Sequence, residues 1–230
     1  MKRETTNRIR FFLEDIVPPI LRDSAAFKAV AALAWGKHIG DLAQFRARAP
    51  FLTDEEYETL YKTHPRVHEG TDNSEACIAQ IIKDVVGQSV CDVGCGTGIL
   101  LKRIKEARPE CKRFMGVDFA IDDANALKGI EYEAAKIESL PFKDGEFDTV
   151  ICTHVVEHVL DYRAAIAELR RITKKRLIII VPREREYRYT FNPHFNFFPY
   201  THSFLRAMQP VPKDYFIEDI KRDIYYREDI

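Results

Sequence analysis

From residue 74 to residue 181, short apolar, β-branched runs alternate with segments whose apolar residues recur at helical spacing. This alternation constrains the fold more than any other feature of the chain, because strands joined by crossover helices lie parallel and need helices on both faces. Runs at 89–93, 114–117, 130–134, 147–152 and 177–181 read as strands, and 75–86, 99–107, 122–127 and 164–172 read as helices. Ser74 is placed to cap the first of these helices. After the helix-like 203–208 and the stops Pro210 and Pro212, residues 215–220 and 224–226 are strand-like, separated only by Lys221, Arg222 and Asp223. No crossover helix fits so short a link, so these two strands must pair antiparallel. The expected class is α/β, a doubly wound sheet.

The first 73 residues differ. They carry helical spacing broken by proline and turn signals, with no glycine cluster. Residues 8–17 end at Pro18-Pro19, Ser24 caps 25–39, Asp41 starts 42–49, and Thr53 with Glu56 forms a capping box for 54–62. The division expected is a helical N-terminal extension, 1–73, serving as scaffold or lid, and a main domain, 74–230. No apolar run reaches the ~18 residues that cross a bilayer, and no secretory leader is evident, which leads us to expect a cytoplasmic protein. A formal net charge of -1 gives no electrostatic bias toward nucleic acid. The five cysteines form no CxxC pair and sit mostly in apolar segments. They read as reduced core thiols, with no metal site expected.

The chemistry concentrates in Cys91-Asp92-Val93-Gly94-Cys95-Gly96-Thr97-Gly98-Ile99-Leu100, a strand running through a glycine loop into a helix. Such a loop lets a ligand approach the backbone, and the helix start offers free N–H groups. The dinucleotide fingerprint G-x-G-x-x-G fails here, since position 99 is Ile and the third glycine comes one residue early. Asp92 would repel a pyrophosphate but suits a ligand with a cationic end. Asp118, closing the second strand, is placed to accept hydrogen bonds from a ribose diol.

These residues are followed in order by Glu138-Ser139-Leu140-Pro141-Phe142, Phe147-Asp148 and Val155-Val156-Glu157-His158-Val159. Over 74–181 the chain thereby resembles the class I S-adenosylmethionine-dependent methyltransferases, in the broad group that includes ubiquinone, menaquinone and sugar methyltransferases. The resemblance implies a Rossmann-like sheet of seven strands with the last one antiparallel. It also implies S-adenosylmethionine as cofactor and S-adenosylhomocysteine as product. Asp92, Gly94, Cys95, Gly96 and Gly98 would hold the methionine end, Asp118 with Phe119 the ribose, and Thr153 would line the site from the fourth strand. Arg66, between His64 and His68, is the choice for the methionine carboxylate. Where the family has an adenine-binding aspartate this chain has Lys136, which offers no acceptor. The adenine contact then falls to Glu138 and the Ile137 backbone.

His154 and His158 follow the fourth strand, where the family lines its methyl-transfer site. Each is read either as a base for a hydroxyl or carbon acid or as a hydrogen-bonding residue. Residues 186–200 follow the fifth strand and mix aromatics with His, Asn and Arg. They suit a sugar or a lipid-like chain beside the strand ends, or else pack on the N-terminal helices. Arg183, Arg185 and Arg188 alternate with Glu184 and Glu186, as on a solvated face. The leading expectation is methylation of a small-molecule acceptor, a hydroxyl or amine of a sugar, glycolipid or related metabolite. The alternatives are C-methylation of a quinone-like ring and a cofactor-binding regulatory protein without catalysis, the latter favoured by Lys136 alone.

Overall fold

The computed structural model of the chain describes residues 3–35, 46–53, 55–57, 59, 71–121, 126–188 and 193–230. The helical expectations at 36–39, 41–45, 54, 58, 60–62 and 122–125 lie outside the described residues, as do His64, Arg66 and His68. Two compact units are present: Met1–Glu69 with Glu184–Phe197, and Gly70–Arg183 with Phe198–Ile230.

In the first unit, helix α1 (Arg3–Phe11) runs on into a wider π-type turn, Phe12–Ile16, and stops before Pro18. Helix α2 (Pro19–Arg22) starts with proline in its first turn, where no amide hydrogen is needed. Ser24 Oγ accepts from Phe27 N at 3.1 Å and so caps helix α3 (Ala25–Trp35), as the sequence implies. The expected capping box is present: Glu56 N donates to Thr53 Oγ1 at 3.3 Å, and Thr53 N donates to Glu56 Oε2 at 2.8 Å. Residues of 184–197 join this unit through Arg46 and through Arg10, whose Nη2 lies 3.9 Å from Glu184 Oε2. Glu184 and His194 are buried and meet Oε2 to Nδ1 at 2.5 Å. Arg46 donates to the carbonyls of Tyr187 at 2.8 Å and His194 at 3.1 Å, with its guanidinium 4.2 Å from the centre of the Phe197 ring.

The second unit holds α4 (Glu75–Asp84), β1 (Ser89–Val93), α5 (Ile99–Ala107), β2 (Arg113–Asp118), β3 (Glu131–Ala134) and β4 (Phe147–Thr153). It continues with α6 (Tyr162–Ile172), β5 (Thr173–Pro182), α7 (Thr201–Ala207), β6 (Tyr215–Ile220) and β7 (Asp223–Asp229). The seven strands lie in the order β3-β2-β1-β4-β5-β7-β6. The first five are mutually parallel, and β7 runs antiparallel to both neighbours. This is the Rossmann-like topology expected of the resemblance. The hairpin closes through Lys221 (φ 54) and Arg222 (φ 72), the left-handed pair that a type I′ turn demands.

β5 shows why the sheet is covered on both sides. Leu177, Ile179 and Val181 pack into one apolar cluster, with Ile166 and Leu169 of α6 and Phe204 of α7. The alternate residues Ile178 and Ile180 enter the other cluster, with Ile78 and Ile81 of α4 and Leu101 and Ile104 of α5. A strand stretch buried on both faces reads as a continuous apolar run, and Leu177–Val181 is one. All five cysteines are buried, and none is in a disulfide. Among the described residues no helix is long and apolar enough to cross a membrane.

Candidate active site

The carboxyl ends of β1, β2 and β4 are adjacent, and the loops leaving them carry the polar residues singled out in the sequence. After β1 the chain turns through Gly94 (φ 84), Gly96 (φ 54) and Gly98 (φ 76) before α5 begins. All three lie in the left-handed region that favours glycine. A Cβ on Gly94 would stand 2.0 Å from Val155 Cγ2, and one on Gly98 would stand 2.3 Å from Tyr132 Oη. These two glycines are thus required by the fold's own packing, before any ligand is considered.

The loop is tied to the end of β2. Gly94 N and Cys95 N both donate to Val117 O, at 2.7 and 3.0 Å, and Gly96 N donates to Asp118 Oδ2 at 2.9 Å. Asp118 is buried, and its Oδ1 accepts from Ala120 N at 3.3 Å. A carboxylate has about four lone-pair sites, so lone pairs remain for a diol. Phe119 follows it, half-buried.

Asp92 is 1% exposed, and its Oδ1 has no hydrogen-bond partner among the described residues. Burial, and then the charge of Asp118, raise its pKa to about 7. A buried acceptor without a donor costs about 1–3 kcal/mol, so this atom is a vacant acceptor beneath the glycine loop. The arrangement fits the amino-acid and nucleoside ends of S-adenosylmethionine: an unsatisfied anionic acceptor for a cation, a loop of left-handed glycines, and a second carboxylate on the neighbouring strand.

β4 ends at Thr153, whose Oγ1 accepts from Asn73 Nδ2 at 2.9 Å. The next residue, His154, has φ 56 and donates its N–H to Ile180 O at 2.9 Å. A left-handed histidine stores backbone strain of about 1–3 kcal/mol, of the kind that clusters at working sites. The short helical turn Val156–His158 brings Glu157, 1% exposed, back toward it, with Oε1 at 3.5 Å from His154 Nδ1. His158 closes that turn, its N–H donating to Val155 O at 2.8 Å.

After β3, Lys136 O accepts from Ser139 N at 3.1 Å, and this turn carries Ile137, buried, and Glu138, exposed. The element that follows is gripped by α6. Glu168 Oε2 accepts from Leu140 N at 2.9 Å, and Arg171 donates to Leu140 O at 2.9 Å and Phe142 O at 2.6 Å. Gly94, Cys95, Gly96, Gly98 and Asp118 therefore form one bonded group, with Asp92 on the strand that leads into it and Thr153 and His154 at the adjoining strand end. Ile137 and Glu138 stand on a separate turn. Sequence reasoning missed Asn73, Glu168 and Arg171, and had Glu157 only as part of the run 155–159, without its pairing to His154. Asn73 had a weak signal, a polar residue directly before the cap Ser74, and Glu157 had one in its i,i+3 spacing from His154.

Comparison with known proteins follows the same residues. Residues 91–181 match the family described as a methyltransferase domain. A ubiquinone biosynthesis O-methyltransferase from Neisseria meningitidis serogroup A is 30% identical over 147 residues, covering 59% of this chain and 58% of that protein. A demethylmenaquinone methyltransferase from Corynebacterium urealyticum is 29% identical over 90 residues, covering 38% of each. The chain spans less than two thirds of the length of these curated relatives. Among solved structures, a SAM-dependent methyltransferase from Aquifex aeolicus has a TM-score of 0.54 at 16% identity, covering 66% of this chain and 89% of that one. The PH0226 protein from Pyrococcus horikoshii OT3 also has a TM-score of 0.54 at 16% identity, covering 74% and 98%. At such identity the likeness is one of fold.

Proposed function

We propose that the chain is a class I S-adenosylmethionine-dependent methyltransferase that methylates a small molecule, a reading supported by the match of residues 91–181 to a methyltransferase domain. The acceptor we favour is a hydroxyl or amine of a sugar, glycolipid or related metabolite. The reading includes a cytoplasmic setting, a catalytic domain of 74–230 and an accessory helical extension of 1–73. The single observation that carries it is the buried Asp92 Oδ1, without a hydrogen-bond partner among the described residues, beside a glycine loop bonded to Asp118.

When bound, S-adenosylmethionine supplies an electrophilic methyl group on a sulfonium. The residues bind, align and dry the reactants, which lowers much of the barrier to an in-line displacement. Asp92 offers its carboxylate to the amino-acid end, and the glycine loop admits the ligand to the backbone. Asp118 would accept from the ribose hydroxyls, and Glu138 and the Ile137 backbone would hold adenine. His154 takes the acceptor's proton at Nε2, with Glu157 drawing the Nδ1 side toward its carboxylate. His158 is the second base candidate. An acceptor that is already a neutral amine needs neither.

Methylation of a quinone-like ring carbon is the second reading, supported by the similarity to the demethylmenaquinone enzyme. Calorimetry with S-adenosylhomocysteine tests the cofactor, and the wild-type chain is expected to bind it while a folded Gly96→Val variant does not. A methyl-donor assay against nucleotide-sugars, quinone precursors and amines then separates the acceptors. A wild-type chain that binds no S-adenosylhomocysteine overturns the proposal.

A further inference from the structure

Asn73 lies outside the span matched by the family, yet it reaches the same strand ends. Its side chain is 7% exposed, and Nδ2 donates to Thr153 Oγ1 at 2.9 Å and to Thr71 Oγ1 at 3.3 Å. With the amide nitrogen spent on two threonines, Oδ1 is left buried without a hydrogen-bond partner among the described residues. Asp92 Oδ1 is in the same condition. The two belong to one neighbourhood, since Asp92 pairs in register with Ile151 of β4, and Thr153, which holds Asn73, is two residues further along that strand.

Two buried acceptors without donors call for a group rich in N–H. An ammonium has three donors and no acceptor, and its charge complements Asp92. A carboxylate would meet repulsion from Asp92 and find no donor in either orphaned oxygen. The neutral amide adds an acceptor without adding a second negative charge beside Asp92.

We propose that Asn73 is a binding residue for the amino-acid end of S-adenosylmethionine, its Oδ1 accepting alongside Asp92 from the α-amino group. The inference rests on the cofactor reading above and names which residue outside the family span completes that site.

The test uses calorimetry of the full chain with two compounds. S-adenosylhomocysteine has the amino-acid end, and 5′-methylthioadenosine shares the nucleoside and thioether but lacks it. Asn73→Ala is expected to weaken S-adenosylhomocysteine by about tenfold or more, as for a hydrogen bond to a charged group, and to leave methylthioadenosine unchanged. Asn73→Asp keeps an acceptor and is expected to retain S-adenosylhomocysteine binding better than the alanine variant. Equal losses for both compounds would assign Asn73 to holding Thr153 and overturn the inference. An aspartate variant that binds worse than alanine would do so as well, by showing that the amide donates. Should the variants fail to fold, the wild-type chain decides: an analogue lacking only the α-amino group must bind at least about tenfold more weakly, and equal affinity overturns the inference. Wild-type protein that binds neither compound removes the cofactor reading itself, and the inference with it.

Discussion

Asp92 is an acid whose charge the fold resists, and its protonation is where the site becomes measurable. Burial first, and the Asp118 carboxylate second, place its pKa at about 7, against about 3.9 for an ordinary aspartate. Without ligand, the protonated form contributes stability that is fully present below about pH 4 and is lost as pH rises through about 7. A bound cation favours the carboxylate and pulls the pKa back down. S-adenosylhomocysteine binding is therefore expected to release a proton near pH 6 and to tighten with rising pH, by at most about tenfold per unit, levelling above about pH 7. Calorimetry in buffers of different ionisation heat reads the proton, and Asp92→Asn should abolish the dependence. Wild-type affinity that stays flat across this range would refute the role. Asp92, Asp118 and the glycines were legible in the sequence because they are consecutive residues or strand-end residues with a local logic. Thr153 was expected at the site, but Asn73 and its bond to Thr153 were not legible, because that bond spans 80 positions. The left-handed backbone of His154 was hidden too, since nothing in a histidine's identity announces it.

At the scale of elements, the grip of α6 on the Leu140–Pro141–Phe142 run is the connection with most consequence for a nucleoside. Arg171 holds the Leu140 and Phe142 carbonyls, and Glu168 both accepts from Leu140 N and pairs with Arg171 at 2.7 Å. The turn bearing Ile137 and Glu138 immediately precedes this run, so its position depends on the grip. Arg171→Ala is expected to weaken S-adenosylhomocysteine and methylthioadenosine alike, by about fivefold, which corresponds to about 1 kcal/mol. An unchanged affinity for both would place adenine elsewhere. Most elements were legible from their apolar period: β1 and α5 have the expected bounds, while β5 begins at Thr173, four residues before its apolar run. Lys174, Lys175 and Arg176 hide that start, because their strand conformation is enforced by partners such as Asp229, whose Oδ1 accepts from Arg176 Nε at 2.6 Å. The hairpin was foreseen from the short link, but its turn was not, since Lys221-Arg222 lacks the asparagine or glycine that marks type I′.

On the scale of the whole molecule, the chain interleaves its two units: it leaves the first before Gly70, returns at Glu184 and departs again at Phe198. The onset of alternation near Ser74 could be read, whereas the return of 184–197 could not, for it depends on Arg10, Arg46, Glu184 and His194 meeting across long separations. Arg46 holds two carbonyls and a ring of this segment, so Arg46→Ala is expected to expose it to limited proteolysis, with new cuts between 184 and 197 and little change elsewhere. An unaltered digestion pattern would show that the Arg10–Glu184 pair suffices to hold it. The interleaving also sets an order of assembly. Arg46 emerges from the ribosome 141 residues before the Tyr187 carbonyl it will hold. At about 5–20 residues per second, the first unit waits roughly 7–30 s for its missing piece. Until then Arg46 lacks the two carbonyls it holds in the folded chain, although it belongs to the first part of this sequence to be made.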